Sequence, residues 1–378
     1  MGRFPFPHDQ RLPHCAYPAA ADHRDVLAAF HAWKREIVTA DGARGFLRTR
    51  RPDTPDGVPN STVSEGIAYG MLIAVLLDEQ ALFDAFYGYA LEFANERGLM
   101  GWYVAPDGSQ ALGTAAASDA DEDIAWALVM AHRQWAGRGA LAESYLDHAR
   151  RQIDRIWLYE VDHDTVPFLF KPGDEWRPNV FNPSYFAPHQ YRLFGAISGN
   201  REGWQQVVDR GYQAVDASLN AANGNRDNGL VPAWCDAAGT PVEAFPGAET
   251  NYQTDSARLP FRLAQDFAYH EDPRARAYLA KTSAFFARIG ADAIGDGYHL
   301  DGRPCPDRRS PQPNAGSAVF VGTAAAGAMH DRKFQAFLDA AYARVRTGKL
   351  LARSRYYNLS WTLLSLLLLT GNFVEFPE

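Results

Sequence analysis

Cysteine is scarce in this chain of 378 residues. Cys15, Cys235 and Cys305 are scattered and odd in number, so they form neither a disulfide framework nor a CxxC site, and they do not fix the compartment. Basic runs are missing too. Lys+Arg number 37 against 45 Asp+Glu, a net charge of −8, which disfavours nucleic acid or an anionic membrane as partner and suits a neutral or cationic substrate better. The longest apolar stretch, LSWTLLSLLLLTGNF, stops at Gly-Asn and is too short to span a bilayer, so no membrane insertion is expected. The opening, MGRFPFPHDQRLPHCAYPAA, has no basic segment followed by an apolar core, and so is no signal peptide. Its Pro and aromatic residues read as a strap over residues 1–20, as if an initiator Met were joined to a mature secreted or periplasmic chain.

Several kinds of chemistry are missing as well. There is no G-x-S-x-G elbow, no HExxH pair and no calcium loop, and GAISGN lacks the glycine pattern of a dinucleotide loop. Neither a metal nor an organic cofactor is expected. No low-complexity linker divides the chain, and nothing specifies an oligomer, which leaves a monomer as the default.

What is present is helical periodicity. Apolar residues recur at three- and four-residue steps near 22–38, 62–77, 82–96, 121–135, 142–155, 185–196, 201–218, 257–268, 273–288, 316–328, 332–346 and 357–370. These segments pair naturally into helical hairpins. One closed solution is an all-α single domain over 1–378, with an inner ring of helices inside an outer ring. Segments 62–77, 121–131 and 357–370 are apolar nearly all round and suit the inner ring. HRDVLAAFHAWKREIV and LDHARRQIDRIWLYEV are one-sided and suit the outer ring. Loops at one end of such a barrel gather residues that are distant in sequence.

Three acid-bearing segments stand out. In STVSEGIAYGMLIAVLL, Ser61 can cap a helix, and Glu65 lies in an apolar run. Glu65 either faces solvent in the first turn or is buried, where it must be hydrogen-bonded or protonated. Gly66 and Gly70 leave room for a backbone or a ligand. In AAASDADEDIAWALVMAHRQW, Ser118 or Asp119 can cap the helix. The helix dipole accounts for some of Asp119, Asp121, Glu122 and Asp123, but four acids in five residues also repel. The expectation is that Asp119 points into a cleft while Glu122 faces water. In NYQTDSARLPFRLAQDF, Asp255 precedes a helix with Arg258 and Arg262 on one face. It is either a helix cap paired to Arg258 or a carboxylate held ionised by Arg258 and the helix N-terminus. Apolar surroundings favour a proton on Glu65, while positive ones disfavour it on Asp255.

Aromatic residues flank all three segments, among them Trp102, Tyr103, Trp126, Trp176, Phe181, Tyr185, Phe186, Tyr191, Trp234, Tyr252, Tyr356 and Tyr357. Many must be core. Those in Gly/Asn/Pro loops suit the C–H faces of sugar rings, with Asp, Asn, Arg and Tyr as partners for hydroxyls.

The segment ASDADEDIAWALVMAHRQW resembles the signature of glycoside hydrolase family 8, a bacterial cellulase, xylanase and chitosanase family. STVSEGIAYGM is similar to the family's acid-bearing segment. KPGDEW, NPSYFAP, GLVPAW, TDSARLPFR and YYNLSWTLLSLLLLTGNF look like further blocks in family order, covering about residues 25–375. The resemblance implies an (α/α)6 barrel with a substrate cleft at one end and inverting hydrolysis of β-1,4-linked glycans. Glu65 then matches the general acid, Asp255 the general base of the cellulase and xylanase subfamily, and Asp119 the aspartate that binds and distorts the sugar. Tyr185 looks like the tyrosine near the attacking water, and Arg258 like the arginine beside the base. Trp102, Trp126, Trp176, Tyr252 and Tyr356 are the expected aromatic sugar contacts. Two positions depart from the pattern: Ala233 stands where an acid is common, and Phe261 where Trp is frequent. The implied activity is an endo-β-1,4-glucanase. A xylanase or reducing-end exo-oligoxylanase, a chitosanase and a non-catalytic glycan-binding protein are the alternatives.

Overall fold

The computed structural model describes residues 2–54, 57–305, 316–352 and 354–378. Among these residues there are thirteen α-helices: α1 (His23–Ile37), α2 (Ser64–Leu76), α3 (Gln80–Glu92), α4 (Ser118–Trp135), α5 (Tyr145–Tyr159), α6 (Pro188–Ser198), α7 (Arg201–Ser218), α8 (Thr254–Ala257), α9 (Leu259–His270), α10 (Pro273–Ile289), α11 (Ala318–Ala328), α12 (Gln335–Val345) and α13 (Arg355–Leu369). All but the one-turn α8 match the twelve expected segments.

Helices α2, α4, α6, α9, α11 and α13 touch in that order, and α13 closes back on α2. Each packs on an outer partner: α3, α5, α7, α10, α12 and α1. This is the (α/α)6 double ring. The sequence pattern explains the assignment to layers. Every residue of α11, AVFVGTAAAGA, is buried, because an inner helix is enclosed on both sides. Outer α1 buries only Val26, Phe30, Trp33 and Ile37, a stripe at helical spacing.

Two small antiparallel sheets sit among the loops. In one, β1 (Val38–Thr39) pairs with β2 (Arg48–Thr49). In the other, β4 (Tyr103–Val104) lies between β3 (Thr62–Val63) and β5 (Ala111–Gly113). Most of the buried apolar residues form one cluster from Cys15 to Phe376, and Val180, Ala233 and Trp234 form a small second one.

The N-terminal strap crosses the pole where the inner helices end. The C-terminal carbonyls of a helix lack intrahelical donors, and the strap supplies several. The backbone N–H of Arg3 donates to Gln134 O at 2.8 Å, and that of Ala16 to Met329 O at 2.7 Å. His8 and His14 bond Leu76 O and Ala268 O at 2.8 and 2.9 Å. The opposite pole, where the inner helices begin, stays open.

Candidate active site

At the open pole lies a cleft of about 370 Å³. Glu65 of α2, Asp119 of α4, Asp255 of α8 and Tyr356 and Tyr357 of α13 line it, with Tyr185 and Trp102 from the connecting segments. Helix N-termini carry partial positive charge. A ring of parallel inner helices therefore gathers these ends around one space, and carboxylates collect there.

Local sequence sets each position. Helix α2 begins directly after β3, with Val63 at the N-cap and no side-chain cap. The expected cap, Ser61, instead accepts hydrogen bonds from Arg51, because it lies in the turn before β3. Gly66 admits neither a backbone nor a ligand. A Cβ there would stand 2.8 Å from the Tyr356 ring, so glycine is what lets Tyr356 reach Glu65. Helix α4 likewise has Ala117 at its N-cap without a side-chain bond, which leaves Asp119 free to point inward. Asp255 is not the cap of its helix but a first-turn residue of α8. Gln253 is the cap, accepting from the Asp255 N–H at 3.3 Å and donating to Asp255 Oδ2 at 3.1 Å.

One guanidinium connects the three carboxylates. Arg258 Nη1 donates to Asp119 Oδ2 at 2.6 Å and to Glu65 Oε2 at 2.8 Å. Its Nη2 stands 3.7 Å from Asp255 Oδ1. The sequence paired Arg258 with Asp255, yet its shortest contacts are to the other two acids. Ser184 Oγ and Tyr69 OH accept from the same side chain at 3.2 and 3.1 Å, and the Tyr185 ring lies 4.9 Å beneath it. Tyr356 OH donates to Glu65 Oε1 at 2.9 Å. Tyr69, one helical turn after Glu65 and on the same face, was missed as a site residue, although its spacing was the signal.

Burial acts on two of these carboxyls in the same direction. Burial pushes Glu65 up to about 7, against the pull of Arg258, with the neighbouring Asp119 and Asp255 charges adding to the rise. Burial also raises Asp119, with the Arg258 charge and hydrogen bond opposing it. Glu65 and Asp255 keep 21% and 22% of their side-chain surface open to the cleft.

A second layer lies one turn deeper. Arg262 donates to Asp123 at 2.5 and 2.9 Å and stands 3.4 Å from Glu122. Tyr191 OH donates to Glu122 at 2.9 Å and Gln190 to Asp123 at 2.7 Å. Glu122 does not face water, contrary to expectation; it is fully buried, because α4 is enclosed from its first turn. Gln152 donates to buried Asp121 at 2.8 Å.

The aromatics divide. Trp102, Tyr185 and Tyr356 line the cleft, as expected, and so does Tyr357. Trp126 is instead core, packed on Phe373 at 5.4 Å between ring centroids. Tyr252 is also buried, against Phe286 and Phe320. Trp176 is half-buried and stacks on Trp234 at 5.1 Å, beyond the residues that line the 370 Å³ cleft. A tryptophan or tyrosine suits core and cleft equally, so composition alone misplaced Trp126 and Tyr252. Among the described residues, no group of three or more His, Cys, Asp and Glu side chains is arranged to hold a metal ion.

A closed helical double ring with acids and aromatics gathered at one pole defines the class of (α/α)6-barrel glycosidases. The sequence comparison makes this specific. The model of "Glycosyl hydrolases family 8" matches residues 4–371, and the chain belongs to that family. It is 37% identical to Endoglucanase A of Acetivibrio thermocellus, over 97% of this chain and 74% of that protein. It is 36% identical to Endoglucanase 2 of Ruminiclostridium josui, over 98% and 77%. In three dimensions it is similar to a β-1,3-1,4-glucanase from Paenibacillus sp. X4, with a TM-score of 0.86, 23% identity and coverage of 98% of both chains.

Proposed function

We propose that this glycosidase is an endo-β-1,4-glucanase that cleaves cellulose-type and mixed-linkage β-glucans with inversion. Glu65 is the general acid, Asp255 the general base, and Asp119 a sugar-binding carboxylate. The observation that carries the reading is the single Arg258 guanidinium held between Glu65 and Asp255 at 2.8 and 3.7 Å. Two carboxylates on the two terminal nitrogens of one guanidinium have their nearest oxygens no more than roughly 9 Å apart, so both reach a single glycosidic bond; inversion itself is inferred from the family-like blocks and is read from the product anomer. The carboxyl pushed up to about 7 by burial is the natural proton donor.

In this scheme neutral Glu65 gives its proton to the leaving glycosidic oxygen. A water attacks the anomeric carbon from the opposite face, and its proton passes to Asp255. The C–O bond breaks as the new one forms, and the products are a shortened chain and an α-configured reducing end. Arg258 and the Tyr356 hydroxyl then hydrogen-bond the Glu65 carboxylate that remains. Asp119, hydrogen-bonded to Arg258, turns toward the ring hydroxyls and favours a distorted sugar. A polymeric substrate sets the work of this enzyme outside the cytoplasm.

The choice of glucan is supported by relatives more than one-third identical that are endoglucanases. A matched panel of carboxymethyl-cellulose, barley β-glucan, xylan and chitosan, with product lengths resolved over time, tests it. The expected outcome is a ladder of oligosaccharides from the glucans. Dominant xylan cleavage, or release of single sugars from a chain end, would overturn the choice.

A further inference from the structure

The cleft carries one cation that the scheme above leaves idle. Arg51 is the only Lys or Arg among its lining residues, and no carboxylate pairs with it among the described residues. Its backbone is fixed on both sides: Arg51 N–H donates to Ser61 O at 3.0 Å, and Asn60 N–H donates to Arg51 O at 2.8 Å. Its Nε and Nη2 donate to Ser61 Oγ at 3.2 and 2.8 Å. The guanidinium lies 5.1 Å over the Tyr103 ring, and the Tyr103 hydroxyl is held in turn by the Val58 N–H at 2.6 Å. One edge, Nη1, has no acceptor among the described residues. The charge is thus immobilised at the wall beside Trp102 and within electrostatic reach of Tyr356, the tyrosine on Glu65.

An arginine that only braced its loop would need the two bonds to Ser61 and nothing from the cleft. A fixed fork with a free edge over an aromatic face is instead the arrangement that recognises a carboxylate. We infer that Arg51 selects glycan chains bearing a carboxylate, as a uronic acid or on a substituted hydroxyl, on the sugar bound between Trp102 and Tyr356. The inference rests on the endoglucanase reading and adds a preference that a neutral glucan does not need. The surroundings make the charge useful. The carboxyls of the cleft wall, Glu65, Asp119 and Asp255, offer an anionic chain no partner, which leaves Arg51 as the attractive edge among the described lining residues.

The test is the ratio of initial rates on carboxymethyl-cellulose and hydroxyethyl-cellulose of equal substitution, with C6-oxidised cellulose as the uronic-acid arm. Measurements use wild type, Arg51→Lys and Arg51→Gln. A hydrogen bond to a charged group predicts that Arg51→Gln lowers the anionic-to-neutral ratio about tenfold, and that Arg51→Lys retains part of the preference. In wild type the ratio falls between 10 mM and 500 mM salt, a measurement that holds even if a variant fails to fold. Response to only one of the two anionic substrates tells uronic acid from substituted hydroxyl. An anionic-to-neutral ratio unchanged by both Arg51→Gln and salt contradicts the inference. Absence of wild-type cleavage on the neutral cellulose and on barley β-glucan would count against the endoglucanase reading instead.

Discussion

Arg258 and Arg262 form two rungs of the same ladder. Each meets an aspartate of α4, Asp119 for the first and Asp123 for the second, at 2.6 and 2.5 Å. The four-residue steps on both segments place one pair a helical turn below the other. The chemistry of the rungs is alike, and each also reaches a glutamate. Access differs. Glu65 and Asp255 open to the cleft, whereas Glu122 and Asp123 are 0% and 1% exposed and accept further hydrogen bonds from Tyr191 and Gln190. A buried ion pair closed off by neutral donors can only hold helices in register, while the same pair at a cleft wall can exchange protons with a substrate. Residue type therefore does not separate the structural rung from the chemical one; solvent and ligand access do.

The sharpest way to break this comparison is to neutralise one acid in each rung. Glu65→Gln should lower turnover about 10³-fold, the usual range for removing a positioned acid, with little change in melting temperature. Asp255→Asn should do the same, through loss of water activation. Asp123→Ala should show the reverse emphasis. Leaving Arg262 without its closest partner costs about 3–5 kcal/mol, read as a melting temperature lower by several degrees, while the surviving folded fraction keeps its specific activity. If Asp123→Ala abolished turnover at unchanged stability, the two rungs would not be distinct.

The pH profile sharpens the contrast further. Burial raises Glu65 to about 7, so the proton donor is loaded below that pH and empties above it. kcat/KM should fall as pH rises through about 7. The smallest effect belongs to Tyr356→Phe. The Tyr356 hydroxyl pulls Glu65 downward, so its removal should move the alkaline limb to higher pH, beyond any loss of sugar contact seen in KM.

The rungs also mark where the sequence stops being legible. Periodicity located the helices because a buried stripe is written in local spacing: the segment 201–218 is α7 to the residue. That Glu65, Asp119 and Asp255 would share one cleft was legible because family-like blocks carry them. The pairing of Arg262 with Asp123 was not, because it joins residues 139 apart that only ring closure brings together. Glu122 was expected in water for the same reason, since an acid-rich first turn looks exposed until a neighbouring helix covers it. The one-turn α8 and the two- and three-residue strands are too short to carry a period.

The central claim is that Glu65 and Asp255 act from opposite faces of the anomeric carbon in a single displacement. Proton NMR of a fresh digest of barley β-glucan, recorded before mutarotation equilibrates the products, tests it most directly. The account predicts that the first-formed reducing ends are the α-anomer. First-formed β-anomer would mean retention through a covalent intermediate, and would contradict it.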